Sequence, residues 1–257
     1  MSYKCGEYKL IRKTALAENI YSFTIECPEA AKLAHCGQFV HIRAEGFTLR
    51  RPISICEIDR KAGTIRIVFL VKGEGTKAIA KLNAGDYVDM IAPLGNGYSD
   101  SNVSANGRVI VVGGGIGVPP LLQTAKHFGN AAAVLGFRSY RNIILEDEFR
   151  KVCKEVIVCT DDGSVGEKGI VTAPLKRELD KGDVSAIFSC GPTRMLSAVA
   201  DLAKEYGVFC EVSLEERMGC GVGACVGCVC RIQRGGEEKL LRVCKDGPVF
   251  NAEEVLF

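Results

Sequence analysis

Over its first hundred residues or so the chain alternates apolar and polar positions with period two. Tyr8-Lys-Leu-Ile-Arg12, Ile20-Tyr-Ser-Phe-Thr-Ile-Glu26 and Phe39-Val-His-Ile-Arg43 all do this, the pattern of strands with one face in a core and the other in water. Thr64-Ile-Arg-Ile-Val-Phe-Leu-Val71 predicts a further strand after a Lys61-Ala-Gly63 turn, and Tyr87-Val-Asp-Met-Ile-Ala92 another after Ala84-Gly85-Asp86. Short strands punctuated by turns predict a small antiparallel β-barrel over residues 1–100, interrupted by one short helix, Thr76–Leu82.

The pattern then changes. Arg108-Val-Ile-Val-Val112 is apolar at consecutive positions, as a strand buried on both faces should be. Further strands are predicted at Ala131–Phe137, Glu155–Cys159, Ala186–Cys190 and Phe209–Ser213, with helices at Leu121–Phe128, Glu146–Cys153, Ala173–Leu179 and Thr193–Tyr206. Strands alternating with helices predict a parallel α/β domain, covered on both faces, over residues 101–213. Residues 214–257 form a third, smaller unit with two strands, Val229–Gln233 and Lys239–Val243, joined by a Gly235-Gly236 turn. Asn251 offers an N-cap to a short terminal helix.

Composition adds limits. The 257 residues are 47% hydrophobic and 25% charged, with a net charge of +2. That is ordinary for a soluble protein with a substantial core, and it gives no reason to expect nucleic acid or an anionic membrane surface as partner. The opening MSYKCGEYKL is charged throughout, unlike a signal peptide, and no apolar run approaches the length of a membrane span. Thirteen cysteines, an odd count, suit reduced thiols in a cytoplasm better than a secreted disulfide framework.

Four of those cysteines carry the most specific signal. Cys220-Gly-Val-Gly-Ala-Cys225-Val-Gly-Cys228, followed after fifteen residues by Cys244, has the C-x4-C-x2-C plus distant cysteine spacing of a plant-type 2Fe–2S site. Gly221, Gly223 and Gly227 would let the backbone fold closely over inorganic sulfide and aim its amides inward. A zinc site usually pairs two C-x2-C units, and here only Cys225 and Cys228 form one. Cys230 could compete as a ligand, or be a small buried apolar residue, as most of the remaining cysteines are expected to be.

Two further stretches carry chemistry. In Arg50-Arg51-Pro52-Ile53-Ser54, Arg51 could grip a pyrophosphate and Ser54 could bond a flavin ring edge, while Gly75-Thr76 could provide an anion site at a helix start. Singly these are also what an ordinary strand arginine and glycine turn look like. Together, upstream of a nucleotide-type fold, they favour a flavin. Gly113-Gly-Gly115-Ile-Gly117-Val-Pro-Pro120 follows a buried strand and precedes a helix, so it could admit a diphosphate. No acidic residue ends the next strand, which closes on Gly136-Phe-Arg138-Ser139, so NADH and NADPH are not distinguished. Cys190-Gly191-Pro192 ends a strand where open α/β sheets place ligands, and Cys190 could line a nicotinamide–flavin contact or simply be a strand cysteine. His35, His41 and His127 are scattered, each expected to be a surface or satisfied core histidine, and no acid/base or nucleophile constellation stands out.

Taken in order, Arg51 to Ser54, Gly75-Thr76, Gly113 to Pro120 and Cys190-Gly-Pro192 resemble the ferredoxin reductase family, with a flavin barrel followed by a nucleotide domain. The tail, Glu215 to Cys228 with Val243-Cys244-Lys-Asp-Gly-Pro-Val-Phe250, resembles the electron-transfer subunits of class 1B dihydroorotate dehydrogenases. The resemblance implies bound FAD, contacted by Arg51, Pro52, Ile53, Ser54, Val68, Phe69, Leu70, Gly75 and Thr76, a 2Fe–2S cluster, and NAD as exchangeable acceptor. It also implies an FMN-containing catalytic subunit that oxidises dihydroorotate in pyrimidine biosynthesis, in a heterotetramer with two subunits of each kind. The other readings in view are a flavin/iron–sulfur subunit for a different partner, such as an NADPH:ferredoxin oxidoreductase or a sulfide dehydrogenase, a self-contained ferredoxin reductase, and a zinc-binding interaction module.

Overall fold

The computed structural model describes residues 2–104 and 107–257. Six antiparallel strands close into a barrel: β1 (Lys4–Ala17), β2 (Ile20–Glu26), β3 (Phe39–Ile42), β4 (Arg51–Asp59), β5 (Thr64–Leu70) and β6 (Tyr87–Leu94), in the spatial order β1-β2-β5-β4-β3-β6. Leu10, Phe23, Ile25, Val40, Ile42, Ile55, Ile65, Ile67, Val88 and Met90 fill its interior. Phe23 meets Phe69 edge-on, with ring centroids 5.0 Å apart. The period-two pattern therefore works as expected, but the barrel carries two helices and not one. Besides α2 (Glu74–Ile79) there is α1 (Pro28–Leu33), whose proline begins the helix and whose Ala30 and Ala31 are buried. A six-residue helix has too few turns to show a 3.6-residue period, which is why the pattern hides it.

The second unit is a seven-stranded sheet built from β7 (Arg108–Gly114), β8 (Ala131–Phe137), β9 (Glu155–Thr160), the short β10 (Glu167–Lys168), β11 (Val184–Cys190) and β12 (Phe209–Ser213), with a seventh strand from the tail. The helices are α3 (Pro119–Phe128), α4 (Glu146–Val152), α5 (Thr172–Asp180) and α6 (Thr193–Glu205). Alternate residues of each buried strand go to opposite faces. Val109, Val111 and Phe188 pack with Leu121, Leu122 and Phe149 of α3 and α4, whereas Ile110, Val112 and Ile187 pack with Leu175, Leu179, Leu196 and Val199 of α5 and α6.

The α3 face also takes in Ile20, Cys56 and Val68 of the barrel, so an apolar seam distinct from the barrel's own interior joins the two units. Helix α3 lies on β4, where Gln123 accepts a hydrogen bond from the Ile58 amide at 2.8 Å. Arg66 of β5 reaches Glu148 of α4 through two hydrogen bonds of 2.6 and 3.0 Å and also pairs with Glu57, which Lys126 joins.

In the tail, β13 (Val229–Arg234) and β14 (Glu237–Arg242) make a separate hairpin. Gly235 and Gly236 both take positive φ at its tip, as a two-residue turn of this hand requires. The last strand, β15 (Val249–Asn251), pairs antiparallel with β12. The tail is therefore stitched into the α/β sheet as well as forming its own small unit, a pairing that three residues of sequence do not announce. Asn251 caps the closing 3-10 turn, accepting a hydrogen bond from the Glu253 amide at 3.1 Å.

Candidate electron-transfer site

Strand β4 brings Arg51, Pro52, Ile53 and Ser54 opposite Ile42, His41, Val40 and Phe39 of β3. The Arg51 guanidinium lies flat against Gly75 at the start of α2: a Cβ on Gly75 would stand 2.3 Å from Arg51 Nε and 2.5 Å from Cζ. A side chain at Gly75 would push the guanidinium out of this place, so two stretches separated by more than twenty residues meet at one point. Phe47 lies under the guanidinium, 5.1 Å from ring centre to Cζ. The Thr76 hydroxyl is engaged within its own loop, accepting from the Lys72 and Gly73 amides at 3.0 and 3.2 Å and donating to the Gly73 carbonyl. Val68, Phe69 and Leu70 end β5 with alternating faces: Phe69 enters the barrel core, while Val68 and Leu70 turn to the α/β unit beside the turn at Gly115–Gly117.

The α/β sheet reverses its strand order between β7 and β11, with β8 and β9 running outward on one side and β12 on the other. Ligand crevices of open α/β sheets lie at the carboxyl ends of the strands at such a point. Here those ends carry Gly113–Gly117 and Cys190–Pro192, and Cys190 pairs with Gly113 across the junction. The two turns press together: a Cβ on Gly117 would fall 2.3 Å from the Cys190 carbonyl oxygen, and one on Gly114 would fall 2.6 Å from the Met195 sulfur. Burial pushes the half-buried Cys190 thiol up to about 12, against a hydrogen bond from Ser213. It is thus held as the neutral thiol at neutral pH. Tyr98, buried at the junction with the barrel, donates to the Ser189 carbonyl at 3.0 Å and packs on Phe188.

The four tail cysteines gather around one loop. Cys220 takes hydrogen bonds from the amides of Ala224 and Cys225 at 3.2 and 3.4 Å. Burial pushes its thiol up, but these amides, that of Val222 and the Cys225 thiol outweigh it and hold the group at about 6. Cys225 is exposed, its sulfur 3.1 Å from where a Cβ of Gly219 would stand. Cys228 and Cys244 are buried against each other, and the Cys244 amide donates to the Cys228 sulfur at 3.4 Å. Arg242 ties the segment holding Cys244 to the loop by donating to the Gly223 carbonyl at 3.1 Å and pairing with Asp246.

Among the described residues no three metal-ligating side chains converge as they would around a single ion. The thiols stand instead as two pairs, Cys220 with Cys225 and Cys228 with Cys244. Two pairs of cysteine sulfurs, with Cys220 and Cys228 each accepting from backbone amides, fit a cluster of two irons, each needing two protein ligands. Cys230 is paired away on β13, its thiol donating to the Leu241 carbonyl at 3.5 Å, and burial pushes it up to about 11.

One expectation fails. His41 is a core residue, but it is not well satisfied: it is fully buried and, among the described residues, neither ring nitrogen has a partner at full hydrogen-bond geometry, with only the Arg50 and Cys220 backbones in weak reach. Burial, aided by Arg50, pulls it down to about 4, so the ring is neutral at neutral pH. Nothing in the period-two pattern of β3 marks it out, because what surrounds it comes from the tail. His35 and His127 are exposed, as expected of surface histidines.

Comparison with known proteins agrees with this geometry. Residues 7–98 match the oxidoreductase FAD-binding domain, and residues 215–256 match the iron-sulfur cluster binding domain of dihydroorotate dehydrogenase B. The "Dihydroorotate dehydrogenase B (NAD(+)), electron transfer subunit" of Geobacillus thermodenitrificans is 41% identical over 254 residues, covering 96% of each chain. The protein of the same name from Fusobacterium nucleatum is 40% identical, covering 93% of this chain and 94% of that one. Among solved structures, a chain from work on flavin-based electron bifurcation by an NADH-dependent reduced ferredoxin-NADP oxidoreductase superposes with a TM-score of 0.85 at 33% identity, over 96% of this chain and 89% of that one. Phthalate dioxygenase reductase shares the fold, with a TM-score of 0.64 at 18% identity over 94% of this chain and 77% of that one. With two of its three units matched by family and its near-full length matched by these relatives, the chain belongs to the electron transfer subunits of dihydroorotate dehydrogenase B (NAD(+)).

Proposed function

We propose that this chain carries electrons between an FMN-containing dihydroorotate dehydrogenase catalytic subunit and NAD, in pyrimidine biosynthesis in the cytoplasm, as half of a complex with two subunits of each kind. The observation that carries the proposal is the sharing of one body by three devices: the strand with Arg51, the crevice at Gly113 and Cys190, and the four-cysteine loop seated on β3. When bound, a flavin exchanges electron pairs with nicotinamide and single electrons with an iron–sulfur cluster, so it belongs between them.

The chain's own residues hold and shield. Arg51 with Gly75 and Thr76 binds the flavin pyrophosphate, Pro52, Ser54 and Leu70 flank its ring, and Ile53, Val68 and Phe69, whose side chains are buried, meet it through their backbone. Gly113, Gly115 and Gly117 admit the NAD diphosphate, with Cys190 beside the nicotinamide. Cys220, Cys225, Cys228 and Cys244 are the cluster ligands. Exposed Cys225 and the adjacent Val226 lie where electrons would leave for the partner. Among the described residues no helix is long and apolar enough to cross a membrane.

Co-expression with a dihydroorotate dehydrogenase catalytic chain tests the reading. The expected result is a stable complex that forms orotate with NAD⁺ as acceptor. The likeness to the bifurcating oxidoreductase chain supports a second reading, a related subunit serving a ferredoxin–NADP partner. Absence of complex and of NAD-linked orotate formation, with FAD and iron both present, would decide for it.

A further inference from the structure

His41 sits in β3, opposite Pro52 of β4 on one side and Ile91 of β6 on the other. A neutral imidazole has one N–H to give, and leaving a buried donor without a well-formed bond is destabilising. Buried polar groups in native folds are nearly always paired, so an orphan calls for a use.

What lies against the ring is the cluster loop. A Cβ on Gly221 would stand 2.3 Å from Nδ1 of His41, 3.0 Å from Cε1 and 3.1 Å from Cγ. The backbone of Gly221, which takes φ +73°, therefore rests directly on the imidazole, and the residue before it is Cys220. The backbones of Arg50 and Cys220 are the nearest hydrogen-bonding groups to the ring, each within weak reach but neither at full bonding geometry. On its other side the same residue faces Pro52, inside the Arg51–Ser54 segment. One residue thus bridges the flavin strand and the first cysteine of the cluster loop.

We propose that His41 is a positioning residue for electron exchange between flavin and cluster: its imidazole seats the Cys220–Gly221 end of the loop against the flavin strand and presents a ring N–H to it. The exchange is of one electron, with no bond made or broken, so His41 acts only through separation, path and potential. A donor at the thiolate end of a cluster draws off negative charge and raises its reduction potential. The inference rests on the flavin and iron–sulfur reading of the site.

The test compares holoprotein, loaded anaerobically, as wild type, His41→Leu and His41→Asn. Iron, acid-labile sulfide and FAD are counted first. Redox titration followed by absorbance and by electron paramagnetic resonance of the reduced cluster is the main readout, with the rate of NADH-driven cluster reduction beside it. Leucine keeps bulk and removes the donor. It is expected to shift electron sharing between cluster and FAD about tenfold toward FAD, or ~59 mV in a one-electron potential, with changed g-values and slower cluster reduction. Asparagine carries an amide N–H near the place of Nδ1 and is expected to restore most of the shift. A leucine variant with full cofactors and unmoved potential and spectrum would overturn the inference, as would an asparagine variant no closer to wild type than leucine. Should leucine fail to load the cluster, asparagine decides alone: loading with near-wild-type potential supports the role, and failure to load or a tenfold displacement overturns it. Wild type without iron and sulfide would sink the underlying reading as well, whereas a loaded wild type with unmoved variants sinks only this inference.

Discussion

At the scale of single residues, glycines decide where chemistry is possible. Gly75 leaves room for Arg51, because a methyl group there would displace the guanidinium. Gly75→Ala is expected to lower flavin retention while the barrel still folds, since Gly75 lies outside the strands that build the barrel core. FAD released on gel filtration, set against an unchanged far-ultraviolet circular dichroism spectrum, checks this. The cysteines divide in the same manner. Cys225→Ser is expected to abolish the iron–sulfur absorbance, because Cys225 is half of one thiol pair. Cys230→Ser is expected to leave it intact, because its thiol is turned to the Leu241 carbonyl. A reversed outcome in iron counts would mean that the ligand set includes Cys230. In the sequence Cys228 and Cys230 stand only two apart and either could serve; the hairpin register puts Leu241 opposite Cys230, which favours Cys228 as the ligand.

At the scale of elements, the barrel strands and the buried parallel strands were legible because each has a period or a run long enough to display its burial. Elements of three to six residues were not, and α1 and β15 are the examples. Contacts between elements were also silent. Arg66 reads in sequence as the polar position of an alternating strand, yet it clamps α4 to the barrel through Glu148. With its side chain only 13% exposed, this pair is more than a solvent-screened surface bridge. Charge-assisted hydrogen bonds of this kind contribute about 1.5–3 kcal/mol. Arg66→Met is expected to destabilise the protein by about 2 kcal/mol, with earlier loss of the α4 region in hydrogen exchange, while the barrel keeps its protection.

At the scale of the whole molecule, the joint between barrel and α/β sheet contains a carboxylate held out of water. Glu211 of β12 is buried and accepts from the Ser99 amide at 2.8 Å, just past the barrel. Burial raises it to about 7, against the pull of that amide and with help from Asp100. A carboxyl raised in the folded state binds its proton more tightly there than in the unfolded chain. Its stabilising contribution is therefore complete below the ordinary carboxylate value and is lost as pH rises from about 4.5 through about 7. A tenfold difference in proton affinity between folded and unfolded chain is worth about 1.4 kcal/mol, so the loss is at most a few kcal/mol. Glu211→Gln keeps an oxygen for the Ser99 amide. It is expected to leave stability unchanged at pH 5, raise it at pH 8 and flatten the pH dependence between them, as chemical denaturation at the two pH values would show.

By itself the sequence determined the order of the parts and the candidate ligands. Alternation, apolar runs and cysteine spacing are local properties, and the residues that produce them lie within a turn or a strand of one another. Only the tertiary structure decided that β7 and β11 meet where the sheet reverses, that β15 returns to lock the tail onto that sheet, and that the tail lays Gly221 on His41. Each of these joins residues far apart along the chain. A close contact of that kind depends on how whole elements pack, which no local period records.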